Sequence, residues 1–568
     1  MRLFLIPIFL LFVSRAFTFD RNWWKHASIY QVYLRSFKDN DGDGIGDFNG
    51  LISKLDYLAE IGVNTIYVSP FYPSPMVDFG YDISDYKEVD PVYGTMKDFE
   101  QLIREMKSRK LHLVIDLVIN HSSDKHIWFE KSVNKIDPYT DYYIWVDPKG
   151  YDQNGFPIPP NNWFSVFSFG KYGSAWQWNE KRQQFYMHHF TVQQPDLNLR
   201  NNAVKEEVKE IMKFWLEKGV AGFRVDAPPF FMEDKLLRDN PLLNPGEVGT
   251  SAWLKCKYNL DQPDTITYLN ELNAFLKEYD RKSGKQIQTP LLGETLGPVR
   301  MVMKYFGTRR FPAFHMPLNY LLRNMETYFN ARELHDFLHT WLDQLPKNKA
   351  SSWALGDHDV GRYAHRFSAE YNYIMLALVT MLPGTCLVYY GVELNMNQNN
   401  LVRINDLGSG SENRFSHRSP MHWDNSRNAG FSSGEKTWLS VNPNYWNINV
   451  QNQRTYENSS LNYFKDLMAL RKTNAIKYGN LRFHIMSDWV LAFTRTHKKT
   501  SYIVIMNLGT DTLPIDWLDE IDYLPGNLTV VASSSNSAYK KGFKMNITKS
   551  YPSSLLLRPN SVIILSSV

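Results

Sequence analysis

Short runs of apolar and β-branched residues alternate along most of the chain with longer amphipathic stretches. Eight such runs predict strands, at 29–33, 65–69, 111–119, 222–225, 290–293, 311–314, 353–355 and 386–390. Strands that alternate with helical stretches are typical of a parallel sheet covered by helices. Eight strands in this order predict a TIM barrel, the (β/α)8 form of the α/β class.

This alternation is interrupted once and later ends. Residues 121–195 are rich in Trp, Tyr, Pro, Asn and Gly and are too many for an ordinary connection, which predicts a small domain inserted after the third strand. From about residue 480 short β-rich runs dominate, which predicts an all-β C-terminal sandwich. The barrel would then comprise residues 17–120 and 196–479, the inserted domain residues 121–195, and the sandwich residues 480–568.

The first sixteen residues have the pattern of a signal peptide. Arg2 precedes an apolar run over residues 3–13, and Ala16 ends the segment, which gives a charged start, a short core and a small-residue exit. A run of this length is too short to span a bilayer. We therefore expect residues 1–16 to be removed and the mature protein to be secreted, and no other stretch predicts a transmembrane segment.

Composition excludes one class of partner and leaves another open. The 568 residues carry a formal net charge of +4, and no basic stripe indicates nucleic-acid binding. Phe, Trp and Tyr make up 15% of the chain, and many of them stand beside Asn, Asp, Pro or Gly in loop-like sequence. Aromatic rings stack well on the faces of sugars, although core packing explains most of them equally well.

Cysteines and glycosylation motifs bear on the compartment. Cys256 and Cys386 are the only cysteines, so the chain is no disulfide scaffold, and two unbridged thiols are favoured over one bridge. Asn458, Asn527 and Asn546 each begin an Asn-x-Ser/Thr motif. These are candidate N-glycosylation sites of a secreted chain.

Acidic residues close three of the predicted strands. Asp226 ends the fourth strand, Glu294 ends the fifth, and Asp359 follows the seventh. The carboxyl ends of the strands form the active-site face of a TIM barrel. Glycosidic bond cleavage requires one carboxylate that attacks or stabilises the anomeric carbon and one carboxylic acid that protonates the leaving oxygen. A single aspartate at a strand end is usually a cap or an ion-pair partner, but three on one face predict glycoside chemistry.

Seven blocks of the chain resemble the α-amylase family of glycoside hydrolases, and within it the animal maltases and sucrases, especially those of insects. The blocks are GYDI at 80–83, DLVINH at 116–121, QPDLN at 194–198, GFRVDA at 222–227, GET at 293–295, GDHD at 356–359 and RSPMHWD at 418–424. They occur in the family's order and are highly specific as a set. The resemblance implies the barrel, the inserted domain and an α-glucosidase activity.

The resemblance also implies a role for each matching position. Asp226 would be the nucleophile, Glu294 the acid/base, and Asp359 the stabiliser of the transition state. The implied sugar-binding residues are Tyr81, Asp82, His121, Arg224, His358 and Arg414. Asp82 and Arg414 would close the pocket behind the terminal glucose. The implied enzyme is therefore retaining and exo-acting, and it releases terminal α-linked glucose from maltose, short malto-oligosaccharides or sucrose.

An acidic loop follows the first predicted strand. Its alternating carboxylates bring hard oxygen atoms to one point, as calcium loops do. The spacing departs from an EF-hand, because Gly50 stands where a glutamate is required. The resemblance implies a metal ion here, so we expect one structural Ca²⁺ and no organic cofactor. Its candidate ligands are Asp39, Asp41, Asp43, Asp47 and the carbonyl of Ile45.

Two other functions stay open at this stage. A transglucosidase or sucrose isomerase differs only in what attacks the glycosyl intermediate, and the residues do not separate it from a hydrolase. Heavy chains of amino-acid transporters and some toxin receptors share the fold, so the fold alone does not establish an enzyme. Those transporter chains carry an internal membrane helix and have lost part of the catalytic set, whereas this chain has the full set. The choice between maltose and sucrose and the oligomeric state are likewise open.

Overall fold

Eight parallel strands form the centre of the molecule. The structure, a computed structural model, describes residues 20–166, 173–244, 254–399, 415–516, 527–546 and 554–567. Consecutive barrel strands are paired from the first to the sixth, the seventh pairs with the eighth, and the eighth pairs with the first. From first to eighth, the strands are Ser28–Val32, Thr65–Val68, His112–Leu117, Gly222–Val225, Leu291–Gly293, Met316–Pro317, Ser352–Leu355 and Thr385–Tyr389.

The seam between the sixth and seventh strands is joined by a few hydrogen bonds rather than by a ladder. The Ala354 amide donates to the Asn319 carbonyl over 3.3 Å, and the Asn319 amide donates to Ser352 Oγ over 3.0 Å. These contacts bring the two ends of the sheet together. The predicted (β/α)8 barrel is confirmed.

The sixth strand differs in position from the prediction. It is Met316–Pro317, paired with the fifth strand, and not residues 311–314. Those residues form a turn in which Phe311 is 54% exposed. Phe314 is buried, and its ring fills the space where a Cβ atom of Gly293 would lie. The run is apolar at both ends, but its two rings face different environments, and the prediction of a strand there was wrong.

Helices cover the outside of the barrel. In Met96–Ser108 the side chains of Thr95 and Asp98 form a capping box at the N-terminus, and a buried stripe faces the sheet. Ala369–Met381 is instead buried on all sides from Tyr371 onward, because it packs against both the seventh strand and a second helix. The described α-helices are Phe48–Ser53, Leu55–Glu60, Met96–Ser108, Ile127–Val133, Asn202–Glu217, Pro263–Lys282, Val299–Val302, Ala331–Leu342, Tyr363–Arg366, Ala369–Met381, Val450–Thr455, Ser460–Arg471 and Asn474–Tyr478.

The segment after the third strand forms a small unit of its own. A three-stranded antiparallel sheet packs around Trp163 and Trp176, which are buried with Phe185 and Met187. A bridge between His121 and Asp196 brings the two ends of the segment together beside the barrel. The three strands of this sheet are Trp145–Val146, Trp176–Asn179 and Gln184–Met187, and a separate two-stranded sheet is formed by Gly150–Tyr151 and Pro157–Ile158.

The C-terminal part of the chain is antiparallel. A six-stranded sheet and a two-stranded sheet share one apolar cluster that includes Val490, Ile505 and Leu555. The strands are Asn480–Ile485, Val490–His497, Thr500–Asn507, Leu513–Asp516, Asn527–Ser533, Lys544–Asn546, Ser554–Leu557 and Val562–Ser566. In the part of the chain that the structure describes, no helix has the length and apolar character needed to cross a membrane. The signal peptide predicted at 1–16 lies outside the described residues.

Candidate active site

One arginine joins three carboxylates at the carboxyl ends of the third, fourth and fifth strands. Arg224 Nη1 lies 2.7 Å from Asp116 Oδ1 and 2.6 Å from Asp226 Oδ1. Its Nη2 lies 2.8 Å from Glu294 Oε1. Parallel strands end on one face of the barrel, and residues two apart on a strand point to the same side. The structure therefore brings together three of the predicted site residues and adds Asp116.

Asp116 is a fully buried carboxyl group that fixes its neighbours. Its Oδ2 accepts hydrogen bonds from Tyr67 Oη at 2.6 Å and from Tyr81 Oη at 3.0 Å. Burial raises the pKa of Asp116, whereas Arg224 and the two tyrosine hydroxyls lower it. All these contacts favour the carboxylate form. Asp116 thus holds both Arg224 and the ring of Tyr81, a predicted sugar-binding residue, in place.

Asp226 and Glu294 are both buried and share one countercharge. Burial raises the pKa of Asp226, and Arg224 opposes the rise while Glu294 adds to it. Burial also raises the pKa of Glu294, and Arg224 opposes that rise too. One guanidinium does not neutralise three carboxylates, so we expect the cluster to retain a proton near neutral pH. A carboxyl group that keeps its proton is what general-acid catalysis requires.

The backbone turns sharply after Asp226. Ala227 has φ 49° and ψ 37°, in the left-handed region that side chains other than glycine seldom adopt. Its amide donates to Glu294 Oε2 over 3.2 Å. Left-handed conformations at non-glycine residues cluster at functional sites, where surrounding contacts hold them. Here the turn ties the backbone after the fourth strand to the carboxyl group of the fifth.

Asp359 lies after the seventh strand with its carboxylate held from two sides. Arg418 Nη2 lies 2.8 Å from Asp359 Oδ1, and His358 Nε2 lies 3.4 Å from Oδ2. The side chain is 28% exposed, more than those of Asp226 and Glu294 at 11% each. Asp359 is therefore oriented by Arg418 and by His358, and its side chain is partly exposed.

Two aromatic rings enclose His358. Tyr81 stacks on it with ring centres 5.3 Å apart and planes 7° apart, and Tyr33 stacks at 5.7 Å. Gln31 Nε2 lies 2.9 Å from His358 Nδ1. Burial lowers the pKa of His358 to about 3. His358 is therefore neutral at physiological pH, and it can form hydrogen bonds without adding a positive charge to the site.

The structure separates Asp82 from the other predicted sugar-binding residues. Asp82 is fully buried, and its carboxylate accepts from Ser74 Oγ at 2.8 Å and from the amides of Val77 and Asp78 at 3.0 Å each. These bonds all lie within its own loop. Its role in this structure is to shape that loop.

A different aspartate of the same loop reaches His121. Gln194 Nε2 lies 3.2 Å from Asp78 Oδ2 and 3.1 Å from His121 Nε2. The His121 Nε2 atom also lies 3.1 Å from the Tyr81 carbonyl. Asp78, His121 and Tyr81 therefore share one end of the site. Arg414, the predicted partner of Asp82, lies outside the described residues.

Sequence reasoning missed Asp78, Asp116, Gln194 and Arg418 as site residues. Three of these stand inside the blocks quoted above, at 116–121, 194–198 and 418–424, so the signal was present and went unused. Asp78 precedes its block by two residues. Only its contact through Gln194 identifies it.

The acidic loop after the first strand gathers three of its four aspartates. Oxygen atoms of Asp39, Asp41 and Asp43 lie within 4.8 Å of one another. Asp47 instead caps the helix Phe48–Ser53, where its Oδ1 accepts from the Gly50 amide at 2.7 Å. Burial raises the pKa of Asp43, and the neighbouring Asp41 and Asp39 raise it further. Hard oxygen donors that repel one another fit a divalent cation such as Ca²⁺.

The remaining predicted residues are the two cysteines and the three candidate glycosylation sites, and no contact that the structure describes links them to the carboxyl groups above. Neither cysteine is bridged, with Cys386 buried and Cys256 half-buried. Asn458 and Asn527 are exposed, as glycosylation requires. Asn546 ends the strand Lys544–Asn546 at the edge of the C-terminal sheet.

A parallel eight-stranded barrel with paired carboxyl groups and an arginine at its strand ends defines a glycoside hydrolase. The chain belongs to the α-amylase family of these enzymes, since residues 31–479 match the alpha amylase catalytic domain. It is 37% identical to Maltase A2 of Drosophila melanogaster, with 99% of this chain and 98% of that protein covered. It is 36% identical to the salivary alpha-glucosidase of Aedes aegypti, with 93% of each covered.

Two further similar proteins carry names other than maltase or α-glucosidase. The human amino acid transporter heavy chain is 37% identical over 92% of this chain and 76% of that protein. A solved alpha-glucosyl transfer enzyme, XgtA, superposes with a TM-score of 0.81 at 31% identity, with 96% of this chain and 99% of that chain covered. The maltase and α-glucosidase relatives and the glucosyl transfer enzyme support an enzyme of the α-glucosidase group.

Proposed function

We propose that the protein is a retaining, exo-acting α-glucosidase that hydrolyses terminal α-linked glucose from maltose, short malto-oligosaccharides or sucrose. The observation that carries this proposal is the contact of one guanidinium group with both Asp226 and Glu294. Retaining enzymes place their two carboxyl groups about 5 Å apart, and inverting enzymes place them further apart to admit a water. A shared arginine favours the shorter separation.

The reaction would run in two displacements. The Asp226 carboxylate attacks the anomeric carbon while Glu294 gives its proton to the leaving oxygen, which forms a covalent glucosyl-enzyme ester and frees the rest of the substrate. Glu294, now ionised, then takes a proton from water as that water attacks the same carbon and releases Asp226. Arg224 contacts both carboxyl groups and stabilises whichever one carries the negative charge.

The surrounding residues would bind the terminal glucose. Tyr81 offers a ring face held by Asp116 and His358. Neutral His358 and the half-open Asp359 carboxylate supply hydrogen-bond acceptors and donors for ring hydroxyls. Asp359 also supplies negative charge near the developing oxocarbenium ion.

Net retention of configuration is the test of this mechanism. With maltose as the substrate, we expect proton NMR to show α-glucose as the first-formed product of the non-reducing end, before mutarotation produces the β anomer. Two successive inversions at one carbon restore the original configuration. Initial formation of β-glucose would contradict the double displacement.

Transfer to a sugar acceptor is the second candidate activity, and the similarity to a glucosyl transfer enzyme favours considering it. The intermediate would be the same, but a sugar hydroxyl would replace water in the second step. Product analysis with sucrose and maltose as separate substrates distinguishes the two. Free glucose as the main product indicates hydrolysis, and isomerised or lengthened sugars indicate transfer.

We also propose that Asp39, Asp41 and Asp43 hold a structural Ca²⁺, with Asp47 and the Ile45 carbonyl as further candidate ligands. The three clustered carboxylates support this proposal. The loop packs against residues 431–438, where the Asp39 amide donates to the Phe431 carbonyl and the Trp438 amide donates to the Gly44 carbonyl. Bound calcium would neutralise the loop and stabilise this contact, away from the catalytic carboxylates.

Removing calcium is therefore expected to lower stability without abolishing catalysis. At free calcium one hundred times the dissociation constant, binding would add about 2.7 kcal/mol to the free energy of unfolding. We expect chelation to lower the melting temperature and to leave turnover at low temperature nearly unchanged. Asp43→Ala should remove the calcium response, whereas Asp56→Ala, at an exposed carboxylate elsewhere, should keep it. Immediate loss of activity with an unchanged melting temperature would argue against a structural role.

We also propose that the protein is secreted and N-glycosylated. Salivary α-glucosidases of mosquitoes are among the similar proteins. The exposed positions of Asn458 and Asn527 are compatible with attached glycans.

A further inference from the structure

A second buried ion pair lies beside the catalytic carboxyl groups. Arg323, in the loop after the sixth strand, places its Nε 2.5 Å from Asp357 Oδ2 in the loop after the seventh. The two side chains are only 7% and 6% exposed. Burying two charges is costly unless further contacts satisfy them. The further contacts of this pair lead directly to Asp359.

Asp357 shapes the loop that carries Asp359. Its Oδ1 accepts from the Asp359 amide over 2.9 Å, which is the side-chain-to-backbone bond of an Asx turn. Gly356 enters this turn with φ 77°, a conformation that favours glycine. One oxygen of Asp357 therefore fixes the backbone of Asp359, and the other is held by Arg323.

Arg323 is itself held on several sides. Its guanidinium lies 4.5 Å above the ring of Tyr320, and its Nη1 donates to Asn324 Oδ1 over 3.0 Å. Its carbonyl accepts from Arg366 Nη1 over 2.8 Å. The arginine therefore presents a rigid charge to Asp357 rather than a mobile one.

We propose that Arg323 and Asp357 are positioning residues of this site, which fix the backbone of Asp359 and set the electrostatic potential at Glu294. The proposal rests on the α-glucosidase function proposed above. It assigns a function to two charges that touch neither Asp226 nor Arg224 in any described contact. Neither residue would react with the substrate.

The charges around Glu294 come from three elements. Arg224 and Arg323 lower the pKa of Glu294, whereas Asp359 and Asp357 raise it. The charged and titratable groups that act on it are Arg224 and Asp226 at the end of the fourth strand, Tyr320 and Arg323 after the sixth, and Asp357 and Asp359 after the seventh. Their own charged or titratable neighbours include Asp116 beside Arg224, and His358 and Arg418 beside Asp359. Arg323 and Asp357 act in opposite directions, so each partner masks the effect of the other.

Removing the charge of Asp357 and removing the charge of Arg323 should therefore shift the alkaline limb of the pH profile in opposite directions. The alkaline limb of kcat/KM reports the pKa of the acid in the free enzyme. With Asp357→Asn, unopposed Arg323 should lower that limb by on the order of one pH unit. With Arg323→Met, unopposed Asp357 should raise it by a similar amount. The double variant should return the limb towards that of the unmodified enzyme.

The experiment measures glucose release from maltose between pH 4 and pH 9 for the full chain and these three variants, with the melting temperature of each. A merely structural pair would lower stability and activity without opposite shifts of the limb. Shifts in the same direction, or none in either folded single variant, would overturn the proposal. If the unmodified chain releases no glucose, the proposed function fails instead, so the two failures are distinguishable.

Two further variants keep the test decisive. Arg366→Met removes a neighbouring arginine that binds the same loop through the carbonyls of Arg323 and Met325, and it should lower stability but shift the alkaline limb by less than either Asp357→Asn or Arg323→Met. If Arg323→Met does not fold, Arg323→Lys keeps the charge but loses the planar contact with Asp357. That variant should leave the pH of the alkaline limb unchanged and lower kcat about tenfold, because Asp359 is less well positioned. A kcat equal to that of the unmodified enzyme would contradict the positioning role.

Discussion

Asp226→Asn is expected to lower kcat for maltose by at least about a thousandfold while the protein remains folded. The amide cannot form the glucosyl ester, and no other described carboxylate ends the fourth strand. The barrel, rather than this carboxylate, holds the site together, because Arg224 keeps its contacts with Asp116 and Glu294. Initial rates of glucose release and the melting temperature measure the two effects separately. Near-normal turnover would remove Asp226 as the nucleophile.

Glu294→Gln provides the complementary result. It should be nearly inactive on maltose, whose leaving sugar needs a proton, but less impaired on an aryl glucoside whose leaving group needs none. Glu393→Gln is a matched control, since Glu393 is also buried but accepts from Tyr30 Oη and Tyr57 Oη at 2.7 Å each, outside the site. We expect that control to keep its turnover. Equal losses for both glutamate variants would indicate a general effect of buried carboxyl groups.

The second large effect is expected at Asp78. Asp78→Ala should lower kcat/KM for maltose about tenfold to a hundredfold, the usual effect of losing a charged hydrogen bond to a substrate hydroxyl. Its position beside Gln194 and His121 supports this expectation. The melting temperature of this variant is measured as well, because a loss of activity larger than the loss of stability separates substrate binding from loop packing. Steady-state kinetics with maltose and with amylose measure the effect.

Asp82→Ala is the control that separates the two aspartates. Asp82 accepts three hydrogen bonds within its loop, one of them from the Asp78 amide. Its loss should therefore lower the melting temperature together with activity. If Asp82→Ala lowered activity on short sugars with unchanged stability, and Asp78→Ala had no effect, the sequence-based role of Asp82 would be correct. Rapid internal cleavage of amylose by the unmodified enzyme would contradict a closed pocket for either residue.

Most of the barrel could be predicted because its strands are continuous apolar runs. The run before Asp226 is buried at every position, Gly222–Val225, as is expected for a parallel strand covered on both faces. The sixth strand could not be placed in this way. Met316–Pro317 is only two residues long, while the aromatic run just before it is a stronger local signal. Pairing with the fifth strand, a non-local contact, decides between them.

The carboxyl groups of the candidate site could be predicted because each follows a strand and the barrel gathers strand ends on one face. The partners of those groups depend on side-chain contacts between distant segments. Arg418 reaches Asp359 from 59 residues further along the chain, and Arg323 and Asp357 belong to the loops of different strands. The blocks at 356–359 and 418–424 contain Asp357, Asp359 and Arg418, but no period or local motif shows which side chains are paired.

The sequence by itself determined the fold class through its alternating strands and helices, and it indicated the family through the resemblance of the seven blocks quoted above. It also placed Asp226, Glu294 and Asp359 at strand ends, because backbone periodicity is a local property. Only the tertiary structure decided which aspartate of the loop at 74–82 faces the site and which holds the loop. Asp78 and Asp82 have the same side chain and lie four residues apart. Their difference is one of hydrogen-bond partners: loop amides satisfy Asp82, whereas Asp78 contacts a glutamine from the far end of the inserted segment. The function of a buried carboxylate depends on which hydrogen-bond donors surround it, and those donors come together only when the chain folds.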